Sequence, residues 1–359
     1  MTPFFHSLSK VQTQFTIQTK LMALFIIKFL LGLLFILVGA DKLTDGASAI
    51  ARRFNVSTLI IGLTIVAFGT SMPELVVSTF SAIKGDNEIA LGNVIGSNIF
   101  NVFAIVGLVA VISPLSCQRE VLRRDMPINI AASLVLVGMV FLFDDGKMML
   151  NRWEGIVLLV IFAAYMFFTI RTAIRQSRIG SGTDGEMLTA ETMAETTADG
   201  NAASGLQTMK MPKACIYVVL GLLMLVFGGD SLVDGASGIA QQLGVSQSVI
   251  ALTIVAIGTS LPELATSAVA ARKGDNDMAI GNVVGSNIFN ILFILGVSST
   301  ISPMDTGNIL AVDFIAFLAS AIILWLFCIN SKRMRINRIE GAFMLLCIIA
   351  YYVYVVQNV

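Results

Sequence analysis

Long apolar runs separated by short polar or glycine-bearing stretches cover most of the chain, at roughly 21–51, 57–82, 89–112, 127–143, 151–171, 214–241, 246–271, 278–301, 308–329 and 337–357. Each is close to the about 20 residues that a helix needs to cross a bilayer. Stretches such as 156–170 and 311–329 lack the apolar/polar alternation of a membrane barrel strand. Backbone polar groups in lipid must be satisfied inside their own segment, so the pattern predicts an all-α membrane protein with ten transmembrane helices. A mean hydropathy of +0.85 with only 13% charged residues excludes an ordinary soluble domain.

The chain also repeats itself. A shift of 189 residues superimposes Asp41 on Asp230, Glu74 on Glu263, Ser97 on Ser286 and Pro114 on Pro303 without a gap. LTIVAFGTSMPEL at 63–75 returns as LTIVAIGTSLPEL at 252–264, and LGNVIGSNIFN at 91–101 as IGNVVGSNIFN at 280–290. The chain therefore divides into an N-terminal tail (1–20), a first five-helix repeat (21–175), a linker (176–212) and a second five-helix repeat (213–359). The linker is rich in Gly, Ser, Thr, Ala and acids and reads as a flexible cytoplasmic connection. Five is odd, so the second copy enters the membrane from the opposite side. Two inverted-topology repeats of this kind place a transporter's site near the midplane, where the copies meet.

Charge sets the orientation. If the N-terminus is outside, the inner loops carry Arg52, Arg53, Arg119, Arg123, Arg124, Arg272 and Lys273 along with most of the other cations, while the outer side keeps Lys10, Lys20, Lys84, Lys147 and Arg152. The positive-inside rule then puts both termini outside. These arginine-rich loops are orientation signals, and no nucleic-acid partner or obligate protein partner is expected. Membrane lipid is the expected surrounding.

The candidate chemistry lies inside the spans. An ionisable side chain within a membrane helix is costly and marks a site or pathway by default; Glu74 and Glu263 are two such residues at equivalent places. Thr70 and Ser71 precede Glu74 by four and three residues and share its helix face, as Thr259 and Ser260 do for Glu263. Pro73 and Pro262 cannot donate to the preceding turn, so each kinks its helix and leaves carbonyl oxygens that can turn toward an ion. The next helix adds Asn93, Ser97 and Asn101 at intervals of four, with Asn98 beside them; Asn282, Ser286, Asn290 and Asn287 repeat the set. Carboxylate, hydroxyl, amide and carbonyl oxygens without sulfur or imidazole suit hard cations such as calcium or sodium. Two carboxylates can be neutralised by one divalent ion or by monovalent ions on the same oxygens, and that competition is what an antiporter needs. The four cysteines lack metal-ligand spacing and the sole histidine is His6, which excludes a zinc or heme site. No P-loop is present and no activated nucleophile accompanies the carboxylates, so ATP-driven transport and enzyme chemistry are not expected.

GTSMPE at 69–74, GTSLPE at 258–263 and the two GNVxGSNIFN stretches resemble the paired alpha repeats of the cation/calcium exchanger superfamily, specifically prokaryotic sodium/calcium exchangers and their potassium-dependent relatives. The resemblance spans nearly the whole chain. It implies a secondary active antiporter exchanging calcium for sodium across the plasma membrane by alternating access, with no cofactor. It implies Glu74 and Glu263 as shared ligands, further oxygens from Thr70, Ser71, Thr259, Ser260, Ser97 and Ser286, and help from the carbonyls of Ala67 and Ala256. It also implies that the first and sixth helices slide against the other eight. Asn101 and Asn290 fill positions of which the second is an aspartate in potassium-dependent members, so an uncharged pair speaks against potassium cotransport. A proton/calcium antiporter is the nearest alternative, since protons can reach the same carboxylates, and a cation channel is a more distant one.

Blander readings apply elsewhere. Asp41 with Asp45, and Asp230 with Asp234, are read as anchors or caps of the sliding helices rather than as a cation entrance. GDNE at 85–88 and GDND at 274–277 read as turns that cap the next helix.

Overall fold

The computed structural model describes residues 2–54, 56–85, 87–142, 148–181, 209–243, 256–307, 309–330 and 334–358. Helix α1 covers Thr2–Arg53, α2 Thr58–Thr70, α3 Met72–Lys84, α4 Ala90–Ile112, α5 Val121–Phe141 and α6 Arg152–Ser181. The second half holds α7 Met211–Gln242, α8 Ala256–Thr259, α9 Leu261–Arg272, α10 Asn276–Ile301, α11 Ala311–Asn330 and α12 Arg338–Asn358. Eight described helices are long and apolar enough to span a membrane, and α2 with α3 makes a ninth span bent by 47°. The tenth expected span, 246–271, begins outside the described residues, and so does most of the linker. The protein is thus nearly all-helical, with the ten-helix count carried by sequence for that span. Helix α1 takes in the residues read as a tail, and α6 runs on to Ser181, into the segment read as linker.

The all-α expectation is amended by two short antiparallel ribbons. β1 (Leu115–Ser116) pairs with β4 (Arg335–Ile336), with Leu115 opposite Ile336; β2 (Met149–Leu150) pairs with β3 (Met304–Asp305), with Leu150 opposite Met304. Each joins a loop of one half to a loop of the other.

α4 and α10 form the centre. Every residue from Met278 to Phe289 is buried, whereas Leu30, Val160 and Leu346 on outer helices are more than half exposed. That outward-facing apolar surface has a natural solvent in lipid acyl chains.

The outer pair α1 and α7 packs antiparallel along a glycine seam. A Cβ on Gly39 would lie 2.9 Å from the Gly221 carbonyl oxygen, one on Gly32 2.7 Å from that of Gly228, and one on Gly46 2.7 Å from that of Ala214. Only residues without a side chain let backbones approach this closely. Gly32, Gly39 and Gly46 map by the 189-residue shift onto Gly221, Gly228 and Gly235, and a Cβ on Gly235 would sit 2.7 Å from Phe25 O. The seam is thus built from the same glycines of both halves. Similar close contacts bring α6 onto α10 through Gly155 and Gly296, and α12 onto α4 through Gly341 and Gly107.

Candidate functional site

The bend between α2 and α3 falls at Ser71, whose φ of −84° and ψ of 11° leave the helical range just before Pro73. Proline in a helix's first turn loses no hydrogen bond, because that N–H has no partner there anyway. The sequence TSMPE therefore ends one helix, starts another and leaves Thr70, Ser71 and Glu74 around the break. In the second half Ser260 holds nearly the same angles, −89° and 5°, between α8 and α9.

The two breaks meet. Ser71 Oγ donates to Glu263 Oε1 at 2.7 Å, and Ser260 Oγ donates to Glu74 Oε1 at 3.1 Å. Each glutamate is thus held by the serine of the other half, and all four residues have no exposed surface. Thr70 lies beside Glu263 and Thr259 beside Glu74. Ser286 Oγ contacts Glu263 Oε1 at 3.4 Å. Ser97 is buried and its hydroxyl has no hydrogen-bond partner. Asn101 and Asn290 are fully buried and each begins a π-helical turn, Asn101–Val106 and Asn290–Ile294. Such widened turns recur at functional sites because they re-aim side chains and backbone groups.

Thr70 partly behaves as an ordinary helix threonine. Its Oγ1 lies 3.0 Å from Val66 O and 3.2 Å from Asn282 Oδ1, so back-bonding to its own helix competes with any ligand role. The Ala67 carbonyl accepts from Ser71 N at 3.0 Å and lies 3.4 Å from Thr70 Oγ1, so an ion at this oxygen would compete with that hydroxyl. Around Ala256 only the backbone is described, and there the Ser260 amide donates to Ile257 O at 3.2 Å.

Asn93 and Asn282, which the sequence places on the right stripe but outside the ligand set, brace the glutamates from behind. Asn93 Nδ2 donates to Glu74 O at 3.3 Å and to Ser78 Oγ at 3.0 Å; Asn282 Nδ2 makes the same bonds to Glu263 O and Ser267 Oγ at the same distances. The four-residue spacing to Ser97 and Ser286 places them on this stripe, while their bonds to the glutamate carbonyls depend on how the two helices pack.

Several buried oxygens in this cluster accept no hydrogen bond: Glu74 Oε2, Glu263 Oε2, Asn101 Oδ1 and Asn290 Oδ1. Among the described residues no group of three or more His, Cys, Asp or Glu side chains converges. Two carboxylates supply the charge, and hydroxyl and amide oxygens must complete any coordination shell. That is a donor set for a hard cation.

The arrangement can be set beside known proteins. The sodium/calcium exchanger protein family matches residues 24–171 and 213–357, most of both halves. The chain belongs to that family. The exchanger is 36% identical over 300 residues to inner membrane protein YrbG of Escherichia coli, covering 83% of this chain and 87% of the relative. It is 34% identical over 346 residues to sodium/calcium exchanger MaX1 of Methanosarcina acetivorans, covering 90% and 96%. Its fold is similar to that of sodium-calcium exchanger NCX_Mj soaked with sodium and strontium, with a TM-score of 0.73 and 30% identity over 92% of this chain and 98% of the other. The exchanger is accordingly an integral membrane antiporter for calcium and another cation, not an enzyme, and its family moves calcium and sodium without a cofactor.

Away from the site, Cys117 and Cys328 Sγ atoms lie 3.0 Å apart. The Cys328 contact and burial push the Cys117 thiol well above its usual range.

Proposed function

We propose that this protein exchanges calcium for sodium across a prokaryotic plasma membrane by alternating access, and that it normally extrudes calcium. Glu74 and Glu263 are the shared ligands. Thr70, Ser71, Thr259, Ser260, Ser97, Ser286, Asn101 and Asn290 supply further oxygens, with the carbonyls of Ala67 and Ala256. The observation that carries this reading is the reciprocal pair of bonds from Ser71 to Glu263 and from Ser260 to Glu74, which brings both carboxyls into one buried cluster. A buried oxygen without a donor costs about 1–3 kcal/mol, and a cation bound among Glu74 Oε2, Glu263 Oε2, Asn101 Oδ1 and Asn290 Oδ1 would offset that cost.

Ten helices in two inverted repeats complete the reading. The antiparallel seam of α1 and α7, built from equivalent glycines, supports the inversion, and its close backbone contact suits two helices that move together. The distribution of Lys and Arg supports both termini outside. The likeness to the Methanosarcina sodium/calcium exchanger supports sodium as the counter-ion.

The test is calcium uptake into proteoliposomes driven by a sodium gradient. Sodium should drive uptake in the complete absence of a pH gradient, and Glu74→Gln or Glu263→Gln should abolish it. Uptake driven by a pH gradient without sodium would make the protein a proton/calcium antiporter, and net current without countertransport would make it a channel.

A further inference from the structure

Asn98 and Asn287 close a small ring where α4 crosses α10, and Asn101 and Asn290 are tied to it, one on each side. Asn98 Nδ2 donates to Asn287 O and Asn287 Nδ2 donates to Asn98 O, both at 3.4 Å. Asn101 Nδ2 donates to Asn287 Oδ1 and Asn290 Nδ2 donates to Asn98 Oδ1, both at 3.1 Å. All four side chains are at most 2% exposed.

The ring has a direction, and backbone chemistry sets it. A peptide carbonyl can only accept, so the end of Asn98 that faces Asn287 O must be its NH2 group. Its Oδ1 then points the other way and can only accept, so Asn290 must meet it with NH2. That turns Asn290 Oδ1 away from the ring, where no protein donor meets it. The same steps run from Asn98 O through Asn287 to Asn101. An unconstrained amide presents oxygen or NH2 with comparable ease, and NH2 repels a cation. Here the choice has been made in advance. Asn290 lies one turn beyond Ser286, which touches Glu263, and Asn101 stands in the same relation to Ser97.

We infer that Asn98 and Asn287, which are not themselves ligands, are positioning residues that hold the amides of Asn101 and Asn290 with their carbonyl oxygens toward the transported cation. This rests on the proposed ion site. It adds that the selectivity of two uncharged ligands for cations comes from residues behind them. Removing such a supporting partner costs metal affinity about ten- to hundredfold.

The experiment measures calcium KM and maximal rate of sodium-driven flux for the full-length protein in proteoliposomes, with the thermal melting temperature of each purified variant. Asn98→Leu should raise the calcium KM about tenfold while the maximal rate changes much less. An aspartate presents oxygen whichever way it turns, so Asn98→Leu combined with Asn290→Asp should bring the KM back toward the starting value. Asn290→Asp alone gives the baseline for the added charge: a packing defect would leave the double variant as far above that baseline as Asn98→Leu lies above the parent, whereas loss of positioning would not. If Asn98→Leu does not fold, Asn98→Ser, which keeps a small polar chain but cannot bridge both partners, replaces it with the same expectation. An unchanged KM in a folded Asn98 variant, or a raised KM that Asn290→Asp leaves raised, overturns the inference. Glu74→Gln run alongside separates the two levels: full activity in that variant removes the ion site itself, whereas its inactivity beside a normal Asn98 variant removes only the positioning role.

Discussion

The turn after α9 and the turn after α3 carry nearly the same sequence, GDND at 274–277 and GDNE at 85–88, and both glycines adopt left-handed φ, 80° and 85°. Their surroundings differ. At the α9 end, Lys273 pairs with Asp41 at 2.6 Å and Asp45 at 2.8 Å on α1, and Asp275 accepts from Thr58 at 2.8 Å, from Ser48 at 3.3 Å and from the Met278 amide it caps. At the α3 end, the equivalents of Asp41 and Asp45 are Asp230 and Asp234 on α7. Asp234 pairs instead with Lys28 at 3.0 Å, and among the described residues Lys84 and Asp230 have no ion pair. The Ser237 hydroxyl, equivalent to that of Ser48, has no partner. Among the described residues the α9 end is tied to α1 by two ion pairs while Lys84 and Asp230 carry none; Asp86, the equivalent of Asp275, lies outside the described residues. The centre, by contrast, repeats its main bonds across the two halves: Ser71 to Glu263 and Ser260 to Glu74, Asn93 and Asn282 to the glutamate carbonyls, and the reciprocal asparagine pairs, with the Ser286 contact to Glu263 as the exception. Paired bonding at the centre with differing ends is what the proposed carrier needs if it presents one ion site to two sides in turn.

The largest expected effects test the symmetric centre. Glu74→Gln and Glu263→Gln should both reduce sodium-driven calcium flux to background, with melting temperatures near that of the parent protein; a large difference between them would break the equivalence of the halves. Next comes the seam. Gly39→Leu and Gly221→Leu each force a side chain onto the facing backbone, and overpacking of this kind costs about 1–3 kcal/mol, read as a lower melting temperature or loss of folded protein in both variants alike. The smallest effect separates the ends. Lys273→Ala should lower stability by no more than about 1 kcal/mol, because its ion pairs are partly exposed and such pairs contribute little, while Lys84→Ala should leave stability unchanged. High salt should erase that difference. A sharper form uses cysteines: a pair at 45 and 273 and a pair at 84 and 234 should cross-link under mutually exclusive ion conditions if the ends trade arrangements during transport.

Much of this was legible in the sequence because it depends on residue type and spacing. The repeated motifs, the long apolar helices and the break beside Pro73 follow from local pattern. The turn reading of GDND also holds, with Asp275 capping α10. What could not be read depends on contacts between halves. Nothing local says that Ser71 bonds Glu263 rather than Glu74, that Asn98 reaches Asn287, or that Asp41 and Asp45 answer Lys273 while Asp234 answers Lys28. The π-helical turns at Asn101 and Asn290 likewise have no signature in the residues themselves. The short ribbons at Leu115 and Met149 escaped for a related reason: each is two residues long and exists only because its partner strand lies in the other half.

The most direct measurement is equilibrium binding of radioactive calcium to the purified protein in detergent, with and without sodium. Saturable binding that sodium displaces, and that either glutamate-to-glutamine substitution alone removes, is the expected result. Calcium binding that survives either substitution, or that sodium leaves untouched, would contradict a single cation site shared by both halves.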